Sequence, residues 1–215
     1  GELPDTRGQG QFFHGTAQEI KQLGEGYYES SNIYGQGFYA TDDLKTAGSY
    51  TRKNVKAVTR GGGTPSRVIY RIDETQPIKF YDLDAPVSAT VRQQLEAATK
   101  YSEATSRALD ELDANPEMSL AQVMDEIRAN SKAAGESRDT IQEVFDGVRE
   151  TLQAEGYGGF THVGGRLTKT GREHQVKIYW DPANQISLQK TEPGALAAPV
   201  AAAVSPAKAM SCLLY

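Results

Sequence analysis

The sequence predicts an α+β fold, and three observations carry the prediction. Both ends of the chain are built of short β-branched or aromatic runs punctuated by glycine. The middle, residues 86–155, is glycine-poor and rich in Ala, Glu, Arg, Gln and Leu. The length, 215 residues, suits one domain with an insertion better than two full domains. The expected layout is a domain over residues 1–192, a helical insertion at about 86–155, and a tail over 193–215.

The elements follow in chain order. Gln11-Phe12-Phe13-His14 is a compact β-like run that Gly15 ends. Residues 17–23 read as one short helix with Thr16 as its N-cap. Residues 37–41 (GFYAT) predict a second strand, after which Thr41 or Asp42 caps a helix running to Tyr50. A loop, Gly61-Gly62-Gly63-Thr64-Pro65, precedes strands over residues 66–73 (SRVIYRID) and 78–83 (IKFYDL). The insertion predicts three helices, over residues 88–112, 119–130 and 137–155. In the last, Ile141, Val144, Phe145, Val148 and Leu152 fall at helical spacing and form one apolar stripe. A helical layer packed on a sheet is its simplest reading, and a lid or partner-docking face is the alternative.

Strands return at residues 159–162 (GFTH), 174–180 (HQVKIYW) and 185–190. A basic loop from Gly164 to Arg172 separates the first two, and Asp181-Pro182-Ala183-Asn184 forms the turn before the third. From Pro193 onward the Ala- and Pro-rich composition offers little to bury, so a mobile tail is expected.

Composition narrows the function classes. The net charge of −5 disfavours a duplex-binding surface, although a local basic loop remains compatible with nucleic-acid contact. No apolar run approaches the roughly 18 residues of a membrane span. The lone cysteine, Cys212, allows no internal disulfide. Gly1 opens the chain without a signal-peptide pattern, which suggests a trimmed chain or a fragment of a longer protein. Localisation is otherwise open, with a protein delivered into a target or host cell as one option. Cys212-Leu213-Leu214-Tyr215 has the outline of a prenylation box, but Tyr is not a usual last residue and no polybasic stretch precedes it.

The stretch GQGFYATDDLKTAGSY, residues 35–50, poses the chemical question. Tyr50 follows Tyr39 by eleven positions, beside a main chain kept bare by glycine. Two phenol rings can sandwich a flat ring, and a cationic ring gains further from their faces. Nicotinamide in NAD is such a ring. Its carboxamide needs one donor and one acceptor, which the N–H and C=O of a single exposed residue supply. Gly15, inside Phe12-Phe13-His14-Gly15-Thr16, is placed for that.

FFHGT, GQGFYATDDLKTAGSY, EGYGGF and HQVKIYWDPANQI, in that order, resemble an ADP-ribosyltransferase of the diphtheria-toxin and poly(ADP-ribose)-polymerase-like branch. The compact domains of bacterial toxins, effectors and phage polyvalent proteins are the most similar. The resemblance covers residues 10–55, 66–83 and 140–190. It implies a split β-sandwich, two small antiparallel sheets forming an NAD cleft, and mono-ADP-ribosyl transfer from NAD without a metal. It also implies roles. His14 would bond a ribose hydroxyl, Gly15 would clamp the carboxamide beside Thr16, and Tyr39 and Tyr50 would stack on nicotinamide. The loop from Gly164 to Arg172 would contact a macromolecular target, with protein favoured by the acidic balance.

Breaking the nicotinamide–ribose bond builds oxocarbenium character, which a nearby carboxylate stabilises. The family's acid aligns near Gln175, with one residue of uncertainty, and Glu173 is the alternative. A glutamine binds a hydroxyl but brings no charge. An NAD glycohydrolase and a catalytically silent NAD- or ADP-ribose-binding module are therefore the rival readings.

Other signals point away from other chemistries. Gly35-Gln36-Gly37 lacks a third glycine and precedes its strand, which excludes a Rossmann loop. His14, His162, His174 and Cys212 lack metal-ligand spacing. Arg166, Lys169 and Arg172 read as a solvated loop or as target contacts, and Asp110, Glu111 and Asp113 as a solvated helix face.

Overall fold

A computed structural model describes residues 2–24, 33–53, 55–166 and 172–191. The expected tail with Cys212, and residues 167–171 of the basic loop with Lys169, lie outside the described residues.

The fold is α+β. The strands β1 (Phe12–Thr16), β2 (Phe38–Thr41), β3 (Val68–Glu74), β4 (Phe80–Asp82), β5 (Gly159–Gly164), β6 (His174–Tyr179) and β7 (Ile186–Lys190) form one sheet in the order β4-β5-β6-β2-β1-β3-β7. The resemblance implied two antiparallel sheets. Instead the strands make one hydrogen-bonded sheet, and one of its pairs, β4 with β5, is parallel. That pair is parallel because the helical insertion connects the two strands, and only a long crossover can bring a chain back in the same direction.

The sheet nevertheless has a weak seam. β1 pairs β3 from Phe12 to Thr16, yet it meets β2 at a single register position, Phe13 opposite Thr41. β2 in turn pairs β6 from Phe38 to Thr41.

Helix α1 (Leu44–Lys53) follows β2, as the sequence predicts, and α2 (Val55–Arg60) comes after it. Asp43 caps α1: its carboxylate accepts from the Thr46 N–H at 3.2 Å and the Thr46 hydroxyl at 2.7 Å. Residues 17–23 do not form the expected helix. Thr16 caps a turn there, accepting from the Gln18 N–H at 3.1 Å, and the Ile20 N–H donates to the Tyr70 hydroxyl at 2.9 Å. A segment of seven residues cannot hold a helix alone, and here Ile20 and Leu23 pack on the sheet instead.

The insertion holds four helices where three were expected: α3 (Ala89–Ala98), α4 (Glu103–Ala114), α5 (Leu120–Ala134) and α6 (Arg138–Ala154). The predicted first helix breaks in two because Ser102 caps a new start, accepting from the Thr105 N–H at 3.1 Å. Ser88, Ser119 and Ser137 cap the other three. Val144, Phe145, Val148 and Leu152 of the α6 stripe are buried. They join Leu95, Leu120 and Ile127 in a core shared with Tyr81, Phe160, Ile178 and Trp180 of the sheet region. The stripe is thus a packing surface between insertion and sheet.

Residues alternate between the two faces of a strand. By the register, one face carries Phe12, His14, Phe38, Ala40, Gln175, Lys177 and Tyr179. The other carries Phe13, Gly15, Tyr39, Thr41, Val176 and Ile178. Helix α1 covers the second face over β1, where Phe13 packs on Leu44 and Ala47.

Candidate active site at the seam of the sheet

Gly15 stands where β1 leaves β2. In an antiparallel ladder a residue turns both its N–H and its C=O toward the same neighbour. The Ile69 carbonyl accepts from Thr191 at 2.9 Å, so Ile69 faces away from β1. Its partner across the ladder, Gly15, therefore turns its own polar groups toward β2, past the last pairing position. Gly15 also lies under α1. A Cβ on it would sit 1.7 Å from the Ala47 carbonyl oxygen, so glycine is needed for the helix to come this close. Tyr50 follows one helical turn after Ala47, outside the buried face of α1 that Leu44, Ala47, Gly48 and Thr51 form.

The two tyrosines differ in setting. Tyr39 is part-buried, its hydroxyl donating to the Gly35 carbonyl at 2.8 Å and accepting from the Tyr34 N–H at 3.1 Å. Burial raises its pKa, and the Tyr34 N–H bond opposes the rise more weakly. Tyr50 is 45% exposed, with the Lys53 ammonium 4.5 Å from its ring centre. Its ring already holds a cation against one face, which is the contact a pyridinium would seek.

His14 lies on the opposite face of the sheet from Gly15 and Tyr39. Its ring lies 4.2 Å from that of Phe38, tilted by 31°. Its Nδ1 is 2.7 Å from the Tyr39 carbonyl oxygen. A carbonyl only accepts, so Nδ1 carries the proton and Nε2 is left as an acceptor, suited to a hydroxyl. Burial lowers the His14 pKa, the Tyr39 bond opposes it more weakly, and the ring is neutral at pH 7.

Gln175 shares the sheet face of His14, not that of Tyr39. Gln175 is exposed on the face opposite Tyr39, and its main chain exchanges bonds with Asp42: Gln175 N–H to Oδ1 at 2.8 Å, Asp42 N–H to the Gln175 carbonyl at 3.0 Å. Glu173 is exposed and pairs with Arg166 at 3.4 Å. The β6 residues that share the Tyr39 face, Val176 and Ile178, are apolar. On the Gln175 face, Phe12, Ile72, Glu74, Lys177 and Tyr179 line a cavity of about 280 Å³. Glu74 accepts there from Lys177 at 2.7 Å and from the Tyr179 hydroxyl at 3.1 Å.

The basic loop is pinned at its end. Arg172 clasps the buried Asp43 with Nε–Oδ2 at 2.6 Å and Nη2–Oδ1 at 2.8 Å, and reaches Asp5 at 3.3 Å. Burial would raise the Asp43 pKa, but Arg172 and Thr46 outweigh it and hold the carboxyl down at about 2. Arg172 is therefore a structural anchor for the start of α1.

One polar chain escaped the sequence reading. His162 on β5 sets Nδ1 2.9 Å from Asp84 Oδ1 and Nε2 3.2 Å from the Tyr34 hydroxyl. Asp84 also accepts from the Val163 N–H at 2.7 Å. Tyr34 and His162 are 128 positions apart, so no local spacing could reveal the pair.

Among the described residues, no helix is long and apolar enough to cross a membrane, and no group of three or more His, Cys, Asp or Glu could hold a metal ion. Compared with family models, curated proteins and solved structures, the chain matches none.

Proposed function

We infer that the protein is a mono-ADP-ribosyltransferase, which moves ADP-ribose from NAD to a macromolecular acceptor, a protein by preference, and releases nicotinamide. One observation carries the reading: Gly15 turns an N–H and a C=O past the end of the β1–β2 pairing, toward the strand that carries Tyr39. A carboxamide fits the main-chain pair, and a cationic ring fits between phenols, each such contact contributing about 0.5–2 kcal/mol. His14 Nε2, free to accept on the other side of the opening, suits a ribose hydroxyl of the same dinucleotide.

The transition state carries positive charge on the ribose. β6 sets Val176 and Ile178, not a carboxylate, beside Tyr39. That favours single transfer over chain elongation. The same observation favours one rival reading, a module that binds NAD and leaves it intact.

Purified protein incubated with NAD separates these readings. Nicotinamide release with a mass increment of ADP-ribose on an added lysate protein is the expected result. Release with no modified product makes the protein a glycohydrolase, and binding without release makes it a silent module. No binding of NAD refutes all three.

A further inference from the structure

We propose that Asp84, His162 and Tyr34 form a proton relay that activates the acceptor in the reaction inferred above, on which this proposal rests. The chain has the logic of an activated nucleophile, a hydroxyl on a base and the base on an orienting acid. Asp84 accepts only, so His162 Nδ1 carries a proton and Nε2 accepts from the Tyr34 hydroxyl. The Tyr34 ring stands edge-on to the imidazole at 4.8 Å, which fixes the hydroxyl on Nε2.

The relay sits on the Tyr39 face of the sheet. The Tyr34 N–H holds the Tyr39 hydroxyl at 3.1 Å, and His162 lies on the Tyr39 face of the sheet, since it pairs with Val176. Tyr34 is buried and its pKa is pushed up to about 12, by burial first and then by Asp125. It therefore stays a neutral phenol that passes a proton on. The other charged or titratable groups around the pair are Arg128, 6.0 Å over the Tyr34 ring, its partner Asp125, and His174 on the next strand.

The step balances. The acceptor oxygen bonds to the ribose C1′ as the bond to the pyridinium nitrogen breaks, and that electron pair leaves with neutral nicotinamide. The acceptor's proton passes to the Tyr34 oxygen while the Tyr34 proton passes to His162 Nε2. The resulting imidazolium is held by Asp84 and later returns its proton to water. His162 is thus the base, and Asp84 is a positioning residue. With Val176 and Ile178 apolar, this relay brings base chemistry to the Tyr39 face from β5 rather than β6.

The test measures nicotinamide release from NAD, with water and a lysate as acceptors, across pH 5–9 for the wild type, His162→Gln, Tyr34→Phe and Asp84→Asn. General-base loss lowers kcat by about 100-fold or more. The expected result is such a loss in His162→Gln and Tyr34→Phe, a smaller one in Asp84→Asn, and an unchanged KM for NAD. The acid limb of the wild-type profile should vanish in His162→Gln. An imidazole NMR spectrum of the wild type checks the arrangement without activity, through the Nδ1–H tautomer and its loss of shielding in Asp84→Asn. Variants that fold, bind NAD and keep the wild-type rate and pH profile overturn the relay while leaving the transferase reading intact. A wild type that releases no nicotinamide overturns both.

Discussion

Replacing Gly15 by Ala tests the packing on which the candidate site depends. The added Cβ would lie 1.7 Å from the Ala47 carbonyl oxygen and 2.6 Å from its carbon, where real contacts begin near 3.0 Å. The helix backbone must therefore retreat by about 1.3 Å, the difference between 3.0 and 1.7 Å. No flexible side chain can give way, because both atoms are main chain. The helix is not free to move either: Leu44 and Ala47 are fully buried, and Asp43 is locked to Arg172. Overpacking of this kind costs about 3 kcal/mol. In a chain of this length that is about 6–12 °C in Tm. Gly48→Ala is the control, since its Cβ would meet only side-chain ends, Leu3 Cδ1 at 3.0 Å and Ile69 Cδ1 at 3.8 Å. Thermal unfolding of both variants, followed by nicotinamide release, is the assay. A Gly15→Ala protein with the wild-type Tm and turnover would show that helix α1 does not sit on β1 as described, and the placement of Tyr50 would fall with it.

The remaining predictions concern neighbouring parts of the site. Tyr50→Ala removes an exposed ring, so Tm should hold within the range of a surface change while NAD affinity falls about tenfold; equal affinity in a titration would remove Tyr50 from the binding surface. Gln175→Ala and Glu173→Ala should each leave nicotinamide release within about twofold of wild type, because both side chains are exposed and Gln175 lies off the Tyr39 face; a large loss in either would add that residue to the site. Arg172→Ala strands the buried Asp43 carboxylate on Thr46 alone and should cost about 2–3 kcal/mol near pH 7. Because the pKa of Asp43 is held down to about 2 in the folded state, below its ordinary 3.8, this stabilisation exists above 3.8 and fades as the pH falls toward 2. Urea titrations of wild type and Arg172→Ala should therefore converge over that range, and a constant gap would refute the assignment.

Much of the fold was legible because its signals are local. Ser119 and Ser137 announce their helices by N-cap chemistry, and the α6 stripe announces its buried face by spacing. The failures are non-local. Nothing within residues 17–23 reports that the Tyr70 hydroxyl, fifty positions away, will take the Ile20 N–H. Nor does the insertion's own sequence say that its crossover will make β4 and β5 parallel. The Asp84–His162–Tyr34 chain depends on three separate segments, so only tertiary structure assembles it.

The placement of Gln175 shows where sequence reasoning stops. A strand's period of two can be read from HQVKIYW, and Gln175, Lys177 and Tyr179 do share a face as their spacing requires. Which face that is cannot be read from the strand itself. It is set by register against β2, where Tyr39 lies opposite Ile178 and Thr41 opposite Val176. A shift of one residue exchanges every side chain between the faces. Matching the strand on its terminal turn leaves that single residue open, and it decides whether the Tyr39 face of β6 carries Val176 and Ile178 or Gln175 and Lys177. If β6 brings no charge to the Tyr39 face, acid–base chemistry there must come from another strand. β5 sets His162 on that face, where its Nε2 takes the Tyr34 hydroxyl while the Tyr34 main-chain N–H donates separately to Tyr39.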